Sequence, residues 1–206
     1  MLTSFLIAFG ISFLGSIPVG VLNLTIVDIG LRKSLYQVVL FALAVSLVEY
    51  AQGFLALKFS SLFETNQNLE LYIDLFATPV FFILGIIYLR KYGKPPKRKE
   101  AVSDFGKGLL LSIVNPLAIP FWVLWGTVGF EKQWLTNDNL SIAIFTIGIS
   151  LGTFVSLVLY GLFSKLIINK IEIVNQRINQ IIGWTLIILG TIQIIRIVSG
   201  YWGLVT

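Results

Sequence analysis

Long uncharged runs dominate this chain, and its charges fall in the short segments between them. No Asp, Glu, Lys or Arg occurs from Met1 to Val27, from Gly108 to Phe130 or from Asn139 to Ser164, and residues 34–57 hold only Glu49. Shorter charge-free runs cover 75–89 and 178–195. A helix crosses the hydrocarbon core of a bilayer with about 20 apolar residues. The pattern therefore predicts six transmembrane helices, near 2–29, 36–60, 71–92, 105–128, 140–166 and 179–198. Outer-membrane barrel strands would read as alternating segments of about ten residues separated by turns. Unbroken runs of this length exclude that pattern, and the fold class is an all-α integral membrane protein.

Composition agrees with the pattern. Of 206 residues, 56% are hydrophobic and 12% charged, and such a chain has too much apolar surface for a water-soluble globule. The formal net charge of +5 is an orientation signal with no bearing on nucleic acid, because the charges lie in the connections. Arg32 and Lys33 follow the first run, and Lys165, Lys170 and Arg177 follow the fifth. The third connection carries Arg90, Lys91, Lys94, Lys97, Arg98, Lys99 and Lys107, so twelve of the 15 basic residues share one side. That side is cytoplasmic, and both termini are expected outside. The first run has no basic residue before it and is too long for a cleaved leader, so it reads as a retained span. Residues 165–180 carry apolar and polar residues at near-helical spacing, as an interfacial helix would.

The two halves resemble each other. Phe41, Ser46, Leu47 and Tyr50 match Phe145, Ser150, Leu151 and Phe154 at an offset of 104, and Ile83-Leu84-Gly85 matches Ile188-Leu189-Gly190 at 105. Pro18 matches Pro116 at 98. The sequence thus divides into a three-helix repeat at 1–92, a basic cytoplasmic linker at 93–104 and a second three-helix repeat at 105–206. An odd number of spans per unit turns the second unit upside down in the bilayer. Inverted repeats of this kind are the common build of secondary transporters, with substrate bound near the midplane.

Two runs contain helix breakers. The first holds Gly15-Ser16-Ile17-Pro18-Val19-Gly20 with Asn23 one turn later, and the fourth holds Asn115-Pro116-Leu117-Ala118-Ile119-Pro120. Proline removes an N–H and clashes with the preceding turn, and in hydrocarbon the freed groups must find partners. At these motifs the chain resembles the LysE/RhtB amino-acid exporters. Gly15-Ser-Ile-Pro18-Val-Gly20 is similar to their first-helix G-x-x-P-G-P motif. Phe105-Gly-Lys-Gly108 followed by Asn115-Pro-Leu-Ala118 is similar to their F-x-x-G and N-P-K-A motifs. Gly20 replaces the family's second proline and Leu117 its lysine, so no role resting on that lysine carries over. The resemblance implies a multi-pass protein of the bacterial inner membrane that exports amino acids or similar metabolites.

Glu49 is the one acid deep in a span. An ionised carboxylate at the centre of a membrane helix costs about 3 kcal/mol on insertion scales, so it should face the bundle interior. We read it as the coupling group, binding in turn a proton and the ammonium group of a substrate. Gln52 lies on the same helical face, and Thr153 occupies the equivalent place in the second repeat. The substrate and coupling candidates are therefore Glu49, Gln52, Pro18, Gly20, Asn23, Asn115, Pro116, Ala118 and Thr153. The expected partners are an amino acid or similar small molecule, protons and the lipid bilayer, with no cofactor.

The chain has no Cys and no His, which removes thiol redox chemistry, Cys/His metal sites and imidazole catalysis, and no enzyme activity is expected. An ion or small-solute channel of the same superfamily and a non-transporting scaffold stay open as alternatives. Asp28 and Arg32 have the spacing of an ordinary surface ion pair. Gly148 and Gly152 permit close helix packing, within a subunit or in a homo-oligomer.

Overall fold

The computed structural model describes residues 1–18, 20–64, 102–115 and 118–166, with single positions and short pieces between 78 and 90 and between 180 and 199. Every described element is an α-helix: α1 (Leu2–Gly15), α2 (Val21–Arg32), α3 (Leu35–Glu64), α4 (Asp104–Ile113), α5 (Ala118–Glu131) and α6 (Asn139–Leu162). Among the described residues two helices are long and apolar enough to cross a membrane, Leu35–Ser61 and Asn139–Leu162. A third span results if the bent pair α4 and α5 is counted as one. The expected spans at 71–92 and 179–198, the linker at 93–104 and the interfacial segment at 165–180 lie mostly outside the described residues.

The first run of the sequence is two helices. α1 stops at Gly15 and α2 starts at Val21, so the predicted helix 2–29 is interrupted in its middle and continues to Arg32. The run expected as 105–128 is likewise two helices, whose axes differ by 63°. The helices expected at 36–60 and 140–166 are continuous, as Leu35–Glu64 and Asn139–Leu162. Proline explains the contrast, since both interrupted runs contain one at the break, Pro18 and Pro116, and α3 and α6 contain none.

Helix starts follow local polar chemistry. Ser103 caps α4 by accepting the Gly106 N–H at 3.1 Å, and Asp138 caps α6 by accepting the Ser141 N–H at 2.8 Å. α5 ends in a left-handed residue, Gln133 at φ 56°, and the amides of Trp134 and Leu135 turn back to the Gly129 carbonyl.

The contacts divide the chain into two compact units, Met1–Ser61 with Gly93–Asn175, and Leu62–Tyr92 with Gln176–Thr206. Each unit draws on both halves of the sequence. In the first, α1 lies along α6 at close range. A Cβ added to Gly148 would meet the Phe5 carbonyl at 2.5 Å, and one added to Gly152 would meet the Phe9 carbonyl at 2.5 Å. The small-residue face of α6 is thus filled within the chain. α3 meets α4 in the same manner, with Gly108 against the Phe41 carbonyl and Ala44. In the second unit Gly85 faces Gly183 and Ile187.

Two apolar clusters form the core of the first unit. One joins Ala8, Leu57, Trp122, Phe145 and Ile149, and the other joins Ile26, Val38, Phe41, Val45 and Leu157. Along α3, Glu49 and Gln52 fall between the residues of the two clusters, and along α6 Thr153 does the same. Mid-span polarity is therefore a stratum between two apolar layers.

The helix ends pair by side. Lys33, just after α2, reaches buried Asp104 at the start of α4 at 2.7 Å, and Lys107 adds a second contact at 3.3 Å. Lys58 near the end of α3 bonds Asn139 at the start of α6. Asp28 and Arg32 form the expected pair, half-exposed.

Candidate functional site

Glu49 occupies the centre of α3, 14 residues from Leu35 and 12 from Ser61. At 1.5 Å per residue that is about 18–21 Å from either end. Glu49 is partly buried, and three side chains from other helices meet around it. The indole Nε1 of Trp122, on α5, donates to Glu49 Oε1 at 3.2 Å. Thr153, on α6, faces the same carboxyl. Ser12, on α1, lies 2.7 Å from the Thr153 hydroxyl and donates to the Ile149 carbonyl at 2.7 Å.

Gln52 sits three residues on. Its Nε2 donates to the Ser112 carbonyl at the end of α4, at 3.2 Å. Because that partner can only accept, the orientation of the amide is fixed. Gln52 Oε1 is then buried with no hydrogen-bond partner. An unpaired buried acceptor costs about 1–3 kcal/mol, so its retention calls for an explanation. The face of α3 thus presents two acceptors a turn apart, a carboxylate and an orphaned amide oxygen. Such a pair suits a cationic donor with several N–H groups, as a primary ammonium has.

The break between α1 and α2 is stitched shut. Asn23 accepts the Gly20 N–H at 3.2 Å and donates to the Ser16 carbonyl at 2.9 Å. From α6, the Tyr160 hydroxyl donates to the Ile17 carbonyl. Asn23 spends its oxygen and one N–H on backbone, which identifies it as a cap for irregular main chain at membrane depth. Gly20 is the residue whose amide it holds, and Pro18 lies within the break. Gly15 lies beneath the Phe121 ring, where a Cβ would sit 2.8 Å from its tip. The neighbouring Trp122 holds Glu49, so one turn of α5 touches both the first break and the carboxylate.

At the second break the Val114 and Asn115 amides turn back to Leu110 and Ser112, and Ala118 opens α5 as a buried residue. Pro116 and Leu117 lie outside the described residues. Of the candidates, the structure brings Glu49 and Thr153 together, and puts Gln52 beside the second break. Asn23 and Gly20 form the first break and are not shown against Glu49. Sequence reasoning missed Ser12, Ser112 and Tyr160. Trp122 is 1% exposed and belongs to the core. The signal that could have found Ser12 is its position on a small-residue face with Ala8 and Ser16 at helical spacing.

Some contacts join residues about a hundred positions apart. Ser150 donates to the Ser46 carbonyl at 2.9 Å across the 104-residue offset, and Glu49 meets Thr153 across the same interval. Ser12 donates to the Ile149 carbonyl, while Ser112 reaches the Val45 carbonyl at 3.5 Å.

The family model for LysE type translocators matches residues 5–196, nearly the whole chain. The chain belongs to the LysE type translocator family. Neither the curated proteins nor the solved structures contain a significant match. As a LysE type translocator it is a membrane exporter of small solutes, and its family is one of transporters, not enzymes.

Proposed function

We propose that this LysE type translocator exports primary-amine solutes, amino acids foremost, in exchange for protons by alternating access. The observation that carries the reading is the pairing of Glu49 with the orphaned Gln52 oxygen at mid-span. Protonated, Glu49 is neutral and held by Trp122 and Thr153. Ionised, it attracts an ammonium group, which also satisfies Gln52. The half-helix start at Ala118 would favour the substrate carboxylate through its positive dipole end. Six spans in two inverted repeats, bacterial inner-membrane placement and outward termini complete the proposal. The contact of Ser150 with Ser46, 104 residues apart, supports it, since equivalent residues of two inverted repeats would meet on their two-fold axis.

Proteoliposomes loaded with single radiolabelled amino acids test this. A proton gradient should drive movement of at least one, and Glu49→Gln should abolish gradient-driven movement in protein that remains monodisperse. No movement of any amino acid, or undiminished movement with Glu49→Gln, overturns the reading. Ion currents that saturate with no amino acid would mark a channel instead.

A further inference from the structure

The close contacts sort the described helices into two sets that differ from the sequence repeats. α6, from the second half of the chain, carries both pieces of the first broken span. Its Gly148 and Gly152 seat α1 against the Phe5 and Phe9 carbonyls, and Gly30 of α2 lies against the Gly161 carbonyl. α3, from the first half, carries both pieces of the second broken span. Gly108 of α4 lies against the Phe41 carbonyl, and Gly126 of α5 lies against Ser60, whose hydroxyl donates to the Val123 carbonyl at 3.0 Å. Each break also takes a hydrogen bond from the helix that carries it. The Ile17 carbonyl accepts from Tyr160 of α6, and the Ser112 carbonyl accepts from Gln52 of α3.

Contact between the two sets is of another kind. Gly53 of α3 faces the side chains of Ile149 and Thr146, Gly161 of α6 faces the Val38 side chain, and Gly15 faces the tip of the Phe121 ring. Both apolar clusters lie across the same boundary. Backbones that touch at small residues fix the spacing and register of two helices, whereas packed side chains allow helices to slide. Polar ties cross the boundary at its ends and near its centre: Lys33 with Asp104, Lys58 with Asn139, and Ser150 with the Ser46 carbonyl at 2.9 Å. Glu49 and Trp122 stand on one side of it, and Ser12 and Thr153 on the other.

We infer that the bodies moving against each other in transport are α1 with α2 and α6, and α3 with α4 and α5. Each is a continuous helix holding the broken span of the other sequence half, and the two part along the α3–α6 boundary. The breaks travel with the helices that hold them, and the parting boundary uncovers Glu49. This rests on the alternating-access reading. The thiol measurement below needs no transported solute, so its failure and a failure of that reading are separate results.

The chain has no cysteine of its own, so single introduced thiols report each contact. Ser46→Cys and Thr146→Cys sit at the boundary between the sets, and Ser60→Cys and Ser112→Cys sit at the α3–α5 and α3–α4 contacts within one set. All four positions are buried. In purified full-length protein in lipid nanodiscs, a small charged methanethiosulfonate should modify the first two faster than the second two. The difference should be about tenfold or more, since the boundary opens in a minor native state and the inner contacts only by unfolding. Two reporters at each place cover a variant that folds poorly. Bodies that followed the sequence repeats would part at all four positions, because each contact joins the two halves of the chain. Equal rates, faster reaction at Ser60 and Ser112, or no reaction at any position overturns the inference. In the efflux assay, a short thiol cross-link between Lys58→Cys and Asn139→Cys should stop movement, and reductant should restore it. Undiminished movement with that cross-link in place overturns it as well.

Discussion

Trp122 Nε1 lies 3.2 Å from Glu49 Oε1, joining residues 73 positions apart at the centre of the first unit. The indole is an almost fully buried side chain with two duties. It fills the core beside Phe145 and Leu57, and it supplies a fixed donor to the carboxylate. Trp122→Phe separates them, since the ring remains and the N–H is lost. Hydrogen bonds to charged groups are worth about 1.5–3 kcal/mol, so amino-acid efflux should fall about tenfold or more with little loss of folded protein. Trp122→Ala should instead cost about 3–5 kcal/mol of stability and show as lost monodisperse protein in size-exclusion chromatography.

Gln52 distinguishes a structural amide from a binding one. Gln52→Leu removes the unpartnered oxygen, and the Ser112 carbonyl keeps the Asn115 N–H at 3.1 Å. Thermal stability should therefore be unchanged or slightly higher. If the oxygen receives an ammonium N–H, KM for amino-acid efflux should rise about tenfold, one lost hydrogen bond. A stability loss with unchanged KM would assign Gln52 to the scaffold.

Two glycines bracket the tolerance of the α1–α6 seam. A Cβ on Gly152 would sit 2.5 Å from the Phe9 carbonyl, whereas one on Gly10 meets nothing within 4 Å. Gly152→Ala should push the helices apart and lower the thermal midpoint by several degrees. Gly10→Ala should be neutral or stabilising by about 0.5–1 kcal/mol, through helix propensity alone. Thermal unfolding of the detergent-purified variants checks both.

Asp138 lies outside the span and provides an acid-range test. The Thr136 hydroxyl and the Ser141 N–H both donate to its carboxylate and hold it below the usual Asp range. A depressed folded-state value stabilises above the unfolded Asp value, and that contribution is lost as pH falls through the folded one. Asp138→Asn should therefore flatten the acid side of the stability–pH curve while leaving the neutral side nearly parallel to wild type. Thermal midpoints taken across the acid range measure it.

Much of the fold was legible because membrane insertion is a linear constraint. The charge-free runs predicted continuous helices at 36–60 and 140–166 and interrupted ones where Pro18 and Asn115-Pro116 fall. The structure has α3 and α6 unbroken and helix ends at Gly15 and Ile113. Glu49 was equally legible, because a lone acid in a long apolar run is conspicuous and expensive. Its partners were harder. Serine and threonine are common in apolar helices and cheap to carry, so Ser12 and Ser112 gave no such signal.

What the sequence determined by itself is which runs are apolar enough to cross a membrane, where the backbone must break, and which residue carries charge within such a run. Those follow from local costs: about 3 kcal/mol for a buried charge, and several for an unpaired backbone group. Only the tertiary structure decided that Glu49 meets Trp122 and Thr153, that Asn23 closes the first break, and that Gly148 and Gly152 face α1. Helices that are apolar nearly all round have no stripe to fix their rotation. Which side chains face one another is then set by close approach at glycines and by the demand that every polar group at depth find a partner.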